Sequence, residues 1–202
     1  MSEMPTLFTP RLCVRPFVKE DLEDISRLLD LELSAADLAT DTYDTLAQRG
    51  QWLQWTVLNY RQLAQLRQPP YGDRAIVLRT GGDLIGACGF VPCLSPFEQL
   101  PDFLPSPRPG RNPLYTTEFG LFYAVSPAHQ RRGYATEAAG ALVEYAFRRL
   151  HLRRIVAMTG HDNAGSIGVM RRLGMRLARN PDPEPPWLQV VGFIENPDRE
   201  GP

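Results

Sequence analysis

The residues with the clearest chemical role lie in one short stretch, "HQRRGYATEA" (residues 129–138). It places two arginines and a glycine immediately before residues that read as the start of a helix. The first four N–H groups of a helix have no partner within the helix, and the helix dipole makes this end partly positive. Arginines at such an end are unfavourable unless an anion binds beside them, and guanidinium groups pair well with phosphate. The stretch therefore predicts a local cradle for a phosphate group.

The predicted cradle depends on its small residues. Successive backbone amides come from Arg131 to Ala135, and Gly133 allows a backbone geometry or a close approach that a Cβ atom would block. Ala135 is small for the same reason. An ordinary helix start with two solvated arginines is the alternative. The stretch is neither a Walker P-loop, because no Gly-Lys-Ser/Thr follows, nor a dinucleotide fingerprint, because Gly133 stands alone.

The elements that position this stretch read as a mixed α/β arrangement. Alternating or continuous apolar runs predict strands, and apolar residues spaced three and four apart predict helices. The order β-α-α-β-β-β-α-β-α-β gives a mixed sheet with helices on its faces, in one domain of 202 residues. The predicted strands are "RLCVRPF", "RAIVLRT", "LIGACGFV", "TTEFGLFYAVSP", "RRIVAMT" and "WLQVVGFIE". The stretch 129–138 lies between the fourth of these strands and a helix that ends near Leu150.

Composition limits the classes of partner. With a net charge of −1, bulk electrostatics do not favour nucleic acid or an acidic membrane surface, so any anion site must be local. No apolar run approaches the roughly 18 residues that span a bilayer, and the amino terminus lacks the pattern of a secretory signal. Cys13, Cys88 and Cys93 match no metal-ligand spacing. These features predict a cytoplasmic protein with reduced thiols and no metal, membrane or nucleic-acid partner.

A proline-rich stretch at about residues 92–113 interrupts the pattern. It alternates prolines with Phe97, Leu100, Phe103 and Leu104, and proline disfavours both a helix interior and a central strand. The stretch predicts a long insertion in the domain, either a surface loop or a lid or substrate wall. Its interleaved aromatic residues favour a loop that packs against something.

Longer motifs carry a resemblance to a known family. The segment Gln130-Arg131-Arg132-Gly133-Tyr134-Ala135 fills the pattern Gln/Arg-x-x-Gly-x-Gly/Ala, and "YATEA" continues it. Asn163 and Ser166 form N-x-x-S ahead of "RLGM", and "TPRLCVRPFVKEDLEDI" is similar to T-x-R-L-x-L-R-P. Together these motifs resemble the GCN5-related N-acetyltransferases (GNAT), in particular the branch of ribosomal-protein alanine and serine N-terminal acetyltransferases. The resemblance covers most of the chain except about residues 92–115 and the tail.

The resemblance implies the GNAT fold, a strongly twisted mixed sheet of about six or seven strands, flanked by helices and splayed into a V-shaped slot for acetyl-CoA. It implies that the backbone of Tyr123, Ala124 and Val125 pairs with the pantetheine arm like an extra strand. The amides from Arg131 to Thr136 would hold the pyrophosphate. Asn163 would bond the pantetheine or help fix the thioester, and a plain helix cap is its alternative role.

The implied reaction is direct attack of a primary amine on acetyl-CoA in a ternary complex. Glu118 is the first candidate for the general base, because it lies on a predicted strand among apolar neighbours. It stands two residues before the position that many relatives use, so an ion pair with an arginine is an alternative role, and a water chain is an alternative base. Many relatives use a tyrosine as the acid, but none lies between His161 and Met175. Ser166 is therefore the candidate that hydrogen bonds the departing thiolate.

The acceptor stays open between a protein or peptide amino terminus and a small-molecule amine. Asp37, Asp41 and Asp44 would attract a cationic amine, or they form a solvated acidic loop. The stretch 92–113 would form an acceptor wall or a contact in a homodimer, since many relatives are dimers. Two other classes remain, a non-catalytic acyl-CoA-binding regulatory module and a nucleotide-binding α/β protein.

Overall fold

The computed structural model describes residues 5–36, 42–103 and 113–197, and these residues form eight strands. The strands are β1 (Leu7–Phe8), β2 (Leu12–Pro16), β3 (Asp73–Leu78), β4 (Leu84–Ser95), β5 (Thr116–Val125), β6 (Arg154–Thr159), β7 (Arg176–Arg179) and β8 (Val190–Glu195). They hydrogen bond in the order β1-β2-β3-β4-β5-β6-β8-β7, with β5 and β6 parallel. The mixed sheet is confirmed, but the expected count of six or seven strands is too low.

Two short strands explain the difference in strand count. β1 has two residues and β7 has four, and neither is long enough to show a clear alternation of apolar and polar side chains. Each is a strand because a partner lies beside it. Leu7 pairs with Val14 of β2, and Arg176 pairs with Phe193 of β8. Tertiary pairing rather than local pattern creates both.

The helices follow the predicted order, with one irregularity. The first helical region is divided into α1 (Leu22–Ser26), a π-helical stretch (Arg27–Glu32) and α2 (Leu33–Ala35). The remaining helices are α3 (Leu46–Gln65), α4 (Tyr134–Arg148) and α5 (Ala164–Arg172). In the described part of the chain, no helix combines the length and the apolar character needed to cross a membrane.

The chain divides into two compact units, and the first contains Met1–Phe90 and Phe122–Leu142. Its strands β1, β2 and β3 pair antiparallel in that order, and β3 also pairs antiparallel with the first half of β4. A buried ion pair joins Asp30 to Arg49 of α3, with 2.5 Å between the carboxylate and the guanidinium. The core of this unit consists of Phe17, Ile25, Leu28, Leu33, Leu53, Ala75, Val77, Leu84 and Ala87.

The second unit contains Val91–Leu121 and Val143–Pro202. Here β8 pairs antiparallel with both β6 and β7, and Gly120 of β5 lies opposite Val156 of β6. The core consists of Phe97, Leu100, Val156, Ala178, Leu188, Val191 and Phe193.

The described part of the proline-rich stretch is more ordered than a loop. β4 continues through Pro92 to Ser95, so this part of the stretch is strand. Phe97 is 0% exposed, and Phe103 stacks on it with 5.3 Å between ring centroids. Phe97 therefore belongs to the core of the second unit and cannot line an acceptor wall. Leu104 and the rest of residues 104–112 lie outside the described residues, as do Asp37 and Asp41.

Candidate functional site

The turn between β5 and α4 has an unusual backbone. Arg131 has φ 59° and Gly133 has φ 83°, both in the left-handed region, directly before α4 begins at Tyr134. Glycine adopts this conformation freely, but for a residue with a Cβ atom it costs about 1–2 kcal/mol. A turn that combines left-handed and right-handed residues is a conformation in which successive backbone N–H groups can form an anion-binding concavity. Strain of this size persists only where surrounding contacts hold it.

Ser126 and Gln130, which follow β5, supply some of these contacts. The side-chain amide of Gln130 donates to the carbonyl of Val125, with Nε2 and O 3.0 Å apart. The buried hydroxyl of Ser126 hydrogen bonds to the carboxylate of Glu32, and the Ser126 N–H donates to the Ile85 carbonyl at 2.8 Å. Gln130, the first residue of the predicted motif, thus fixes the beginning of the turn.

Arg11, which precedes β2, supplies further contacts, and the sequence did not reveal them. Its Nε and Nη2 atoms each lie 2.6 Å from Oε2 of Glu137, and its Nη1 donates to the Arg132 carbonyl at 2.9 Å. The guanidinium carbon lies 4.4 Å from the centroid of the Tyr134 ring. Thr9 also donates its hydroxyl to Glu137 at 2.6 Å. We call the group formed by Thr9, Arg11, Tyr134 and Glu137 the Arg11 clamp.

The carboxylate of Glu137 is charged within this clamp. Burial by itself would raise its pKa, but the hydrogen bonds from Thr9 and from the backbone and side chain of Arg11 outweigh burial and lower the pKa. A signal for both residues existed, because Arg11 lies in the T-x-R-L opening and Glu137 in "YATEA". Nothing in either motif showed that they contact one another.

The residues of the turn and of the end of β5 differ in accessibility. Arg131, Arg132 and Gly133 are exposed, and the next three residues, Tyr134, Ala135 and Thr136, are partly buried. On β5, Tyr123 and Ala124 are partly buried and Val125 is buried. The structure therefore brings the predicted residues 123–125 and 130–136 into one unit, at the end of β5 and the start of α4.

Glu118 lies in the second unit and forms an ion pair. Its carboxylate accepts from Arg154, with Nε and Oε2 3.0 Å apart and a second contact through Nη2. The Glu118 side chain is 10% exposed. The pair lines a pocket of about 340 Å³ with Thr117, Phe119, Leu152 and Arg153. Of the two roles open from the sequence, the arginine-paired carboxylate is the one observed in this structure.

A cysteine beside Glu118 is not suited to covalent chemistry. The Cys93 thiol donates to the Glu118 carbonyl at 3.4 Å. Burial, with a smaller contribution from the charge of Glu118, raises the pKa of this thiol to about 11. A thiol is nucleophilic as its thiolate, so Cys93 is unreactive near neutral pH.

Asn163 caps α5, also in the second unit. Its side-chain oxygen accepts the backbone N–H of Ser166 at 2.9 Å. The cap uses only the carbonyl oxygen of the amide, and the same side chain carries two N–H donors. Ser166 is partly buried in the first turn of the helix. Among the described residues, no group of three or more His, Cys, Asp or Glu side chains is arranged to hold a metal ion.

Comparison with known proteins shows which family this chain resembles. The profile of the acetyltransferase (GNAT) domain matches residues 11–176. The chain is 42% identical over 62 residues to the uncharacterized N-acetyltransferase YnaD of Bacillus subtilis (strain 168), a match that covers 31% of this chain and 35% of that protein. The chain thus spans about a third of the length of this relative.

Solved structures are similar over nearly the whole chain. A putative ribosomal-protein-serine acetyltransferase from Vibrio cholerae superimposes with a TM-score of 0.68 at 20% identity, covering 96% of this chain and 99% of that one. RimL, a ribosomal L7/L12 alpha-N-protein acetyltransferase in complex with coenzyme A, superimposes with a TM-score of 0.57 at 16% identity, covering 95% and 96%. At these identities the likeness shows the fold. With the family profile matching most of its length, the chain belongs to the GNAT acetyltransferase family.

Proposed function

We propose that this protein is an acetyl-CoA-dependent N-acetyltransferase that moves an acetyl group to a primary amine by direct attack in a ternary complex. The observation that carries the proposal is the turn at Arg131–Gly133, with left-handed backbone at both ends, at the start of α4. Backbone strain at a non-glycine residue such as Arg131 is concentrated at functional sites in proteins. A pyrophosphate bound to the backbone amides accounts for it.

The residues present fit the cofactor that the family implies. The amides from Arg131 to Thr136 are proposed to hold the pyrophosphate, with the exposed arginine side chains adding charge. The backbone of Tyr123, Ala124 and Val125 is proposed to pair with the pantetheine arm. Asn163 is proposed to donate its side-chain N–H groups to that arm, because its oxygen is already engaged by Ser166. Acetyl-CoA supplies the activated acetyl group.

Amide formation sets three requirements. The amine must be neutral, although the pKa of an alkylamine is about 10.4 and that of an α-amino group about 8. The developing oxyanion needs a hydrogen-bond donor, most simply a backbone N–H. The departing thiolate needs a hydrogen bond or a proton, for which Ser166 is the proposed donor. An α-amino group meets the first requirement with less help, which favours a protein or peptide amino terminus.

Glu118 and a water chain compete as the proton acceptor. Glu118 is the proposed base by its place on β5, but both of its carboxylate oxygens already contact the Arg154 guanidinium. The ion pair with Arg154 therefore supports the water chain. It also supports the second candidate function, an acyl-CoA-binding regulatory module without catalysis, because such a module needs no base.

A thiol-release screen distinguishes these functions. Purified protein is incubated with acetyl-CoA and a panel of amino-terminal peptides, polyamines and aminoglycosides, and free CoA thiol is measured. The proposal expects thiol release above hydrolysis with at least one class of amine. Binding of acetyl-CoA without release in any class would support the regulatory module. Binding of ATP or NAD, without binding of CoA, would contradict both.

A further inference from the structure

We propose that Arg11 is a positioning residue for the anion-binding turn, acting through the carbonyl of Arg132 and the carboxylate of Glu137. The inference rests on the proposed function, because the anion is taken to be the pyrophosphate of acetyl-CoA.

The first step of the argument concerns the peptide group between Arg132 and Gly133. Arg11 Nη1 donates to the Arg132 carbonyl at 2.9 Å. In a planar trans peptide the C=O and the following N–H point in opposite directions. The hydrogen bond to the carbonyl therefore directs the Gly133 N–H away from Arg11. This N–H is one of the amides proposed to hold the anion, so Arg11 sets the direction of a ligand group.

The second step concerns how the Arg11 guanidinium is held. Its Nε and Nη2 groups are directed at Glu137, its Nη1 at the Arg132 carbonyl, and its face lies against the Tyr134 ring. The guanidinium plane is thus engaged along two edges and one face. Its side chain is 46% exposed, so it is held in place by these contacts rather than by burial.

The third step concerns charge. Glu137 lies in the first turn of α4, the same turn that is proposed to receive an anion. An unpaired carboxylate there would repel a pyrophosphate. Its pairing with Arg11 cancels this charge. Arg11 therefore acts twice, by directing an amide and by neutralising a competing anion.

The two effects can be separated by variants. Arg11→Ala removes both, Arg11→Lys restores the positive charge without the fork-shaped contact to Arg132, and Arg11→Ala with Glu137→Gln removes the uncompensated carboxylate. A matched control is Arg148→Ala, because Arg148 pairs with Glu144 on the same helix and both are exposed. CoA affinity is measured by isothermal titration, thermal midpoints by scanning calorimetry, and KM for acetyl-CoA and kcat by thiol release.

We expect Arg11→Ala to weaken CoA binding and raise KM for acetyl-CoA by about tenfold or more, with kcat at saturating acetyl-CoA within about twofold of wild type. Arg11→Lys and the double variant should each recover part of the lost affinity, and Arg148→Ala should change neither quantity. Unchanged CoA affinity in Arg11→Ala overturns the inference. So does a parallel fall of affinity, kcat and thermal midpoint that neither second variant relieves, because this indicates a purely structural role. Failure of the wild-type protein to bind CoA overturns the proposed function itself, and the inference with it.

Discussion

The carboxylate of Glu137 and the guanidinium of Arg11, 126 residues apart in the chain, lie 2.6 Å from one another in the first unit. The contact joins the segment that precedes β2 to the first turn of α4. The same guanidinium also donates to the Arg132 carbonyl, in the turn that is proposed to bind the pyrophosphate. A sequence element at the amino end of the chain thus supports the proposed cofactor site near its middle.

The pKa of Glu137 predicts a pH-dependent contribution of this contact to stability. The folded-state pKa is lowered relative to the unfolded value of about 4.3, so the stabilisation is present above pH 4.3 and is lost as pH falls through the folded-state pKa. We expect Glu137→Gln to lower the free energy of unfolding by about 1 kcal/mol at pH 7, given the half-exposed partner. Urea unfolding at pH 7 and pH 3.5 checks this, because the difference between variant and wild type should shrink at the lower pH. A difference that grew on acidification would contradict the assignment.

Asp73, at the start of β3, predicts a dependence of the opposite sign. Burial raises the pKa of Asp73 to about 6, so the protonated carboxyl is favoured in the folded state. Its contribution to the free energy of unfolding is complete below the unfolded-state pKa of about 3.9 and is lost as pH rises through 6. We expect Asp73→Asn to stabilise the protein by about 1–3 kcal/mol at pH 7.5, with a smaller or absent gain at pH 4.5. Asp83→Asn is the control, since Asp83 is exposed in the turn between β3 and β4. A loss of stability at pH 7.5 in Asp73→Asn would show that the charged carboxylate is needed.

Variants of the Glu118–Arg154 pair test whether the Glu118 carboxylate has a structural or a catalytic role. Because the pair is largely buried, we expect Glu118→Gln to destabilise the protein by about 1–3 kcal/mol by leaving Arg154 unpaired. Adding Arg154→Gln should recover part of this loss. Since both Glu118 carboxylate oxygens contact Arg154, we expect a water chain to accept the proton, and kcat for Glu118→Gln to fall by less than about tenfold. A fall of 100-fold or more, with KM unchanged, would identify Glu118 as the general base.

Asn163 allows capping to be separated from cofactor binding. Asp and Ser cap helices about as well as Asn, whereas Ala costs about 1 kcal/mol. Asn163→Ser and Asn163→Asp should therefore keep the thermal midpoint, and Asn163→Ala should lower it. If the side-chain N–H groups bond the pantetheine arm, CoA affinity should fall in all three variants. Wild-type affinity in Asn163→Ser would limit Asn163 to the role of a cap.

Local features of the fold were predictable from the sequence, and contacts between distant segments were not. The start of α4 and the requirement for glycine at position 133 follow from nearest-neighbour chemistry, and Gly133 does have positive φ. β1 and β7 exist only because another strand lies beside them. The burial of Phe97 depends on Phe193 and other residues far along the chain. The contact of Arg11 with Glu137 is likewise non-local. Each residue lies in a recognisable motif, but neither motif indicates that the two residues contact one another.

Calorimetric titration of acetyl-CoA into wild-type protein, Gly133→Glu and Gly82→Glu tests the central claim most directly. Both glycines are exposed, and their φ angles are similar, 83° at Gly133 and 81° at Gly82. A Cβ atom at Gly82 would meet nothing within 4 Å. Gly82→Glu therefore reproduces the backbone strain of Gly133→Glu at a distant turn. We predict micromolar to millimolar binding by wild type and Gly82→Glu, and no detectable binding by Gly133→Glu, with similar thermal midpoints for the two variants. Wild-type affinity in Gly133→Glu would contradict the assignment of this turn as the pyrophosphate site.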